Sequence, residues 1–220
     1  MPLQKPHSRD QETILDGLSL LARFYWGPDQ ELCEELASPA GRDLFTRLAR
    51  LLPAAAPTLR SMQALLQGAD SPQALCDELE PAYVAAYVNS PGGTPSPLYH
   101  SCYVGQGLIM GPPAGAMALR LEQASLSLGE KAGEPPDHLA VELEYLIFLL
   151  EEGLAGRQPQ GVAQAAELAR RFMLPWVREF AARQNDVSSP LLPLTARLLV
   201  HLLEEVATQA GPEASQKERP

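Results

Sequence analysis

Apolar residues recur at helical spacing along most of this chain, and that periodicity constrains its fold more than any other feature. Leucine and alanine dominate the apolar positions, whereas isoleucine is scarce. Straight-chain residues and alanine lose little side-chain freedom in a helix, whereas β-branched residues favour strands. In one segment Ile14, Leu18, Leu21 and Tyr25 share a helix face, behind a Ser8–Gln11 capping-box pattern. The pattern predicts an all-α globule of roughly ten helices.

Proline and glycine interrupt the helical pattern in two longer segments. Residues 89–98 include three prolines and two glycines, which neither a helix nor a central strand accommodates. The second segment, 129–138, is predicted to be a hinge loop between N-terminal and C-terminal helical parts. We predict a single domain over residues 1–220, in which 1–8 and 211–220 form disordered tails.

The charge balance favours some partners over others. The net charge is -10 and the isoelectric point is about 4.9. An acidic surface repels phosphate backbones and anionic lipids, so we expect neither nucleic acid nor a membrane as a partner. A cationic partner suits this surface, although solubility alone also explains the charge.

Cysteine usage and apolar run length predict a cytoplasmic protein. Cys33, Cys76 and Cys102 are far apart and form no Cys-x-x-Cys pair, so the sequence indicates neither a disulfide framework nor a thiolate metal site. The first residues lack the apolar region of a signal peptide. The sequence contains no apolar run near the ~20 residues that a membrane-spanning helix needs.

Asp137 and His138 form a small polar focus in an otherwise apolar chain. They lie where the Pro135-Pro136 loop runs into a helix-periodic segment. A helix start offers unpaired backbone N–H groups, so Asp137 could simply cap the helix. A carboxylate beside an imidazole could also bind a basic ligand such as a guanidinium. Spacing alone leaves both interpretations open.

The sequence does not favour catalysis or metal binding. His100, Cys102 and His138 show no ligand spacing such as two histidines on one helix turn. Ser101 is next to His100 in sequence, but no Gly-x-Ser-x-Gly elbow is present. We therefore predict no catalytic residues, no metal site and no enzyme activity.

Several motifs in order resemble one known family. Glu134, Asp137-His138 and Glu142-Leu143 match the E-x-x-D-H-x-x-x-E-L signature of the TorD/DmsD/NarJ family of redox-enzyme maturation chaperones. The segments Tyr83–Tyr87, Pro91–Ser101 and Phe172–Val177 resemble further family segments. Ala86-Tyr87 stands where members often have Leu-Phe, and Tyr145-Leu146 replaces the more usual Phe-Met.

The resemblance implies an all-helical cytoplasmic chaperone. Such a protein binds the twin-arginine leader, the apo form, or both, of a molybdopterin-dependent oxidoreductase. It assists cofactor insertion and holds back export until maturation. The residues that we predict to bind the peptide are Asp137, His138, Glu134, Tyr99, Ser101, Pro97 and Tyr87.

The resemblance also leads to expectations about bound cofactors and about the oligomeric state. We expect no resident cofactor, although some members are reported to bind guanine nucleotides weakly. Stable membrane insertion is not expected, and the chain is predicted to be a monomer or, through its Pro/Gly hinges, a domain-swapped dimer. Two alternatives remain, namely a GTP-dependent switch or enzyme that uses the same cleft, and a structural subunit of a helical assembly.

Overall fold

The structure is a computed structural model. It describes residues 8–89, 93–105, 107–127 and 133–209, except for the side chains of residues 185 and 186. The predicted tails lie outside this range apart from Ser8, which is the N-cap of the first helix. Residues 129–132 of the predicted hinge also lie outside it.

Ten α-helices account for most of the described residues, which confirms the predicted all-α class. Among the described residues, strand pairing is limited to one isolated β-bridge, between Tyr99 and His138. The helices are α1 (Arg9–Trp26), α2 (Gln30–Ala37), α3 (Pro39–Leu51), α4 (Ala56–Gly68), α5 (Pro72–Tyr83), α6 (Pro112–Gln123), α7 (Leu139–Leu154), α8 (Gly161–Glu167), α9 (Leu174–Ala182) and α10 (Leu191–Thr208).

Helix α1 begins and ends as its sequence predicts. The Ser8 hydroxyl accepts from the Gln11 amide (3.3 Å), and the Gln11 side chain accepts from the Ser8 amide (3.0 Å), which completes the capping box. The helix ends at Gly27, whose φ of 121° disfavours other residues. Trp26 is thereby held at the last turn, half-buried, beside the start of α7.

Helices α1, α7 and α10 form the centre of the molecule. Helix α1 packs on α7, α3 and α10, whereas α10 also packs on α9 and α4. Their leucines join one large cluster of buried apolar side chains that reaches from α1 to α10. Leu139, Ala140 and Leu143, at the start of α7, belong to this cluster, so the start of α7 packs against the core.

Two prolines lie next to π-helical turns. Pro81 is predicted to kink or interrupt its helix, and α5 continues past it to Tyr83; Pro175 is predicted to break and restart a helix, and α9 starts at Leu174, directly before it. A π-helical turn, Val84–Val88, follows the first proline, and another, Leu168–Met173, precedes the second. Pro175 lies in the first turn of α9, where proline is well tolerated. The wider turns let the chain stay helical past both prolines.

Helices α7 and α8 touch backbone to backbone at two glycines. A Cβ atom on Gly161 would lie 2.5 Å from the Leu149 carbonyl oxygen, and one on Gly153 would lie 2.5 Å from the Val162 nitrogen. Real side chains do not approach backbone atoms this closely, so glycine is required for the two helices to pack.

Gly161→Ala should therefore destabilise the protein by about 1–3 kcal/mol, because α8 must shift away from α7. Gly115→Ala on α6 is the matched control, since a Cβ atom there meets nothing within 4 Å. The control should be neutral or stabilising by roughly 0.5–1 kcal/mol. Urea unfolding measures both, and equal stability of the two variants would contradict the close helix contact.

Candidate functional site

The loop after α5 crosses directly over the start of α7. The bridge pairs Tyr99 with His138, and the His100 amide donates to the Asp137 carbonyl oxygen (3.0 Å). We call residues Leu98–Tyr103 the strap. Its last four residues, His100–Tyr103, form a 3-10 turn. The strap therefore brings Tyr99, His100 and Ser101 onto the Asp137-His138 pair.

Asp137 lies beneath the strap and is 0% exposed. Its Oδ2 atom accepts from the Ser101 amide (2.8 Å) and from the Ser101 hydroxyl. The Ser101 hydroxyl oxygen in turn accepts from the Gly111 amide (2.9 Å). The other carboxylate oxygen, Oδ1, is buried without a hydrogen-bond partner. Burying a carboxylate with one oxygen unsatisfied is costly, which is typical of functional sites.

His138, not Asp137, caps α7. The His138 Nδ1 atom accepts from the Ala140 amide (3.3 Å), so the interpretation of Asp137 as the helix cap is wrong. The Asp137 carboxylate accepts its hydrogen bonds from Ser101 of the strap instead. Burial lowers the pKa of His138 from 6.5 to about 4, although the charges of Glu134 and Asp137 oppose this shift. His138 is therefore neutral near pH 7.

An aromatic rim with two carboxylates surrounds His138. The Trp26 ring stacks on His138 at 5.1 Å, and Tyr99 meets it edge-on at 5.3 Å. The Tyr99 hydroxyl donates to Glu134 (2.7 Å), and the Trp26 indole N–H donates to Glu144 (2.7 Å). We call these four residues, Trp26, Tyr99, Glu134 and Glu144, the rim. Burial and the neighbouring Glu134 raise the pKa of Tyr99, so its hydroxyl keeps its proton.

Trp26 was not predicted as a site residue. It belongs to α1, more than a hundred residues from His138 in sequence, so no local motif contains both. Its position as a large aromatic directly before a Gly27-Pro28 break was the available signal. A tryptophan there has a large apolar ring and an indole N–H that both require partners from elsewhere in the chain.

A second buried carboxylate anchors the strap from behind. Glu142 is 0% exposed, its Oε1 atom lies 3.0 Å from His100 Nδ1, and its Oε2 atom accepts from the Trp176 indole N–H (3.0 Å). The His100 and Trp176 rings stack at 5.2 Å. Burial raises the pKa of Glu142 from 4.5 to about 7, against the opposing effect of the His100 and Trp176 contacts.

The buried group of His100, Glu142 and Trp176 joins three motifs that are distant in sequence. His100 comes from the strap, Glu142 from the first turn of α7 and Trp176 from the Leu174-Pro175-Trp176 segment of α9. Each motif contributes one member of a single buried hydrogen-bonded group. Such a group is stable only when all its members are present, because an unpaired buried charge is costly.

The predicted site residues divide into two groups. The structure brings together Asp137, His138, Glu134, Tyr99 and Ser101, while Pro97 is half-buried directly before the strap. Tyr87 does not join them. It is 3% exposed, and its hydroxyl donates to Gln184 (3.0 Å) inside an aromatic cluster of the core. Its apolar ring and helical spacing explain it as a core residue.

The described residues also bear on metal binding and on membrane insertion. Within the part of the chain that the structure describes, no three His, Cys, Asp or Glu side chains lie close enough to hold a metal ion. None of the helices described there has the length and apolar character to cross a bilayer.

Comparisons with known proteins identify the family. The family described as nitrate reductase delta subunit matches residues 47–182. The chaperone protein TorD of Ferrimonas balearica is 30% identical over 189 residues, which cover 79% of this chain and 84% of that protein. The chaperone protein TorD of Photobacterium profundum is 27% identical over 174 residues, which cover 73% and 79%.

The chain belongs to the TorD/DmsD/NarJ family. It is a TorD-like redox-enzyme maturation chaperone, and members of this family are maturation proteins rather than enzymes. The fold of this TorD-like chain is similar to that of a putative redox enzyme maturation protein from Archaeoglobus fulgidus. The TM-score is 0.52, with 21% identity over 93% of this chain and 98% of the other. The resemblance predicted from the sequence motifs is confirmed.

Replacing Glu142 should change how the stability of this TorD-like chain depends on pH. Glu142→Gln puts a neutral side chain of the same shape in the buried position. Because the pKa of Glu142 is raised from 4.5 to about 7 on folding, the folded wild type binds a proton that the unfolded chain lacks between these values. Wild type should therefore lose stability relative to the variant as pH rises through this window, by up to about 1.4 kcal/mol per pH unit.

Urea unfolding of both proteins at about pH 5 and about pH 8 measures this change. Glu151→Gln makes the same substitution at an exposed position of α7 and controls for the loss of one negative charge. A stability difference between wild type and Glu142→Gln that does not vary with pH would contradict the account of this buried acid.

Proposed function

We propose that this chain binds the twin-arginine leader of a molybdopterin-dependent oxidoreductase in the cytoplasm. It keeps the apo form of that client from export until the cofactor is inserted. The observation that carries the proposal is Asp137, a fully buried carboxylate whose Oδ1 atom has no partner and which directly precedes His138, the residue that the rim surrounds. A buried anion of this kind is suited to receive a cationic ligand group.

The rim has the chemistry that an arginine side chain requires. A guanidinium is planar, carries five N–H donors and stacks on aromatic faces. Trp26 and Tyr99 supply half-buried aromatic rings, and Glu134 and Glu144 supply carboxylate oxygens beside them. Two neighbouring arginines can be bound together, one at each carboxylate or one at the rim and one at Asp137. This arrangement favours arginine over lysine because only a guanidinium binds carboxylates in a bidentate manner.

The overall charge supports the same kind of partner. A net charge of -10 attracts a basic leader at long range and speeds its association. The neutral state of His138 near pH 7 leaves this attraction undiminished, since a protonated imidazole would repel the arginines.

The family membership supports the client class. The matched family is described as a reductase subunit, and the similar structure is a redox enzyme maturation protein. Weak guanine-nucleotide binding and a domain-swapped dimer stay predictions from the resemblance. A single domain that spans residues 1–220 likewise stays a prediction.

Calorimetric titration with a synthetic twin-arginine leader peptide tests this function. Wild type should bind the peptide, and a twin-lysine counterpart should bind about tenfold more weakly. Asp137→Asn should weaken binding of the arginine peptide by at least about tenfold, because truncating a buried charged contact usually costs 2–5 kcal/mol. Asp77→Asn on the exposed face of α5 is the control for net charge and should bind like wild type.

Circular dichroism separates loss of binding from loss of fold. The Asn side chain can still accept the Ser101 hydrogen bonds, so the Asp137→Asn variant should keep its helicity. Binding that is equal for arginine and lysine peptides, and equal for Asp137→Asn and wild type, would contradict the proposal.

A further inference from the structure

The strap shields Asp137 from the partner proposed above. Asp137 is fully buried, and both hydrogen bonds that its carboxylate accepts come from Ser101. A guanidinium cannot reach this carboxylate while Ser101 lies over it. The residue that makes the site attractive for arginine is therefore closed to arginine in this conformation.

The closed conformation carries several unfavourable features. Among the described residues, the buried side-chain polar atoms without a hydrogen-bond partner are the Asp137 Oδ1 and Tyr103 Oη atoms. The first lies under the strap and the second belongs to it. Unsatisfied buried groups cost free energy, and both regain partners if the strap opens to water or to a ligand.

The turn beside the strap adds local strain. Met110 adopts φ 63°, in the left-handed region that favours glycine, and Leu108, Ile109 and Met110 are each more than half exposed. The next residue, Gly111, donates its amide to the Ser101 hydroxyl. The Ser101 side chain thus links the strained turn to Asp137, and releasing Ser101 frees both.

We propose that Ser101 is a latch that holds the strap closed over Asp137, and that an arginine of the leader binds Asp137 by displacing Ser101. This inference rests on the leader-binding function proposed above. The exchange is balanced in hydrogen bonds, because the N–H donors of the guanidinium replace the amide and hydroxyl donors of Ser101 on the same carboxylate. The latch keeps the buried charge satisfied while no client is bound.

A latch and a direct contact predict opposite effects of Ser101→Ala on the affinity for the leader peptide. If Ser101 touched the leader, its truncation would weaken binding. If Ser101 competes with the leader, Ser101→Ala raises the fraction of open protein and should tighten binding of the twin-arginine peptide by about tenfold. Most of the gain should appear in the association rate, because wild type must open before it binds.

Ser96→Ala is the matched control for this experiment. Ser96 is a buried serine directly before Pro97, and its hydroxyl donates to the Arg183 carbonyl oxygen (3.3 Å) rather than to Asp137. This variant should bind the peptide with the wild-type rate and affinity.

Hydrogen–deuterium exchange gives a second measurement that needs no variant. The Ser101 amide donates to Asp137 in the closed state, so residues 98–103 should exchange faster when the twin-arginine peptide is added to wild type. A leader that docks on the closed strap would slow exchange there instead. This readout holds even if Ser101→Ala lowers the stability of the protein.

The outcomes separate this inference from the leader-binding function. If wild type binds the peptide but Ser101→Ala binds equally or more weakly, and residues 98–103 become protected, the latch is wrong and leader binding stands. If neither wild type nor Ser101→Ala binds twin-arginine peptides, the leader-binding function fails and the displacement step fails with it. Faster binding by Ser101→Ala together with faster exchange in wild type supports both.

Discussion

Whether the candidate site is closed or open depends on the hydrogen bonds that Ser101 donates to Asp137. A carboxylate that is fully buried requires charge-assisted donors, and the strap supplies them from one residue. To do so the chain must cross over the start of α7, which it does through the bridge of Tyr99 to His138. The rim then forms because Tyr99 lies beside His138 and Trp26 lies at the end of α1. The backbone hydrogen bonds from His100 to Asp137 and from Leu139 to Leu98 fix the crossing itself, and the Ser101 contact decides whether the Asp137 carboxylate is covered.

Two buried acids at the start of α7 have different roles. Glu142 is fully hydrogen-bonded to His100 and Trp176 and fixes the strap to α9. Only one oxygen of Asp137 accepts hydrogen bonds, and its donors belong to a serine. A neutral serine binds a carboxylate more weakly than a cationic side chain does, so a ligand can replace it. The strap is therefore anchored firmly at His100 and reversibly at the next residue. This division is consistent with a site that stays folded while one of its contacts is exchanged for a ligand.

Local sequence patterns predicted the helices well and the site only partly. The capping box at Ser8 and the helical spacing of leucines depend on neighbours within a few residues, so the bounds of α1 follow from them. The motif resemblance placed Asp137, His138, Tyr99 and Ser101 together correctly. It could not assign the helix cap to His138 instead of Asp137, because that choice depends on where the strap supplies donors. The resemblance also could not add Trp26 to the predicted site, because Trp26 reaches it only through the packing of α1 on α7. It could not exclude Tyr87 from the site either, because the Gln184 partner of Tyr87 is distant in sequence.

A crystal structure of the protein in complex with a twin-arginine leader peptide would show whether an arginine displaces Ser101 from Asp137. We expect a guanidinium within hydrogen-bond distance of the Asp137 carboxylate, with Ser101 moved away from it and the contact between His100 and Glu142 retained. Arginines bound elsewhere on the surface, while the Ser101 hydroxyl and amide still donate to Asp137, would contradict this expectation.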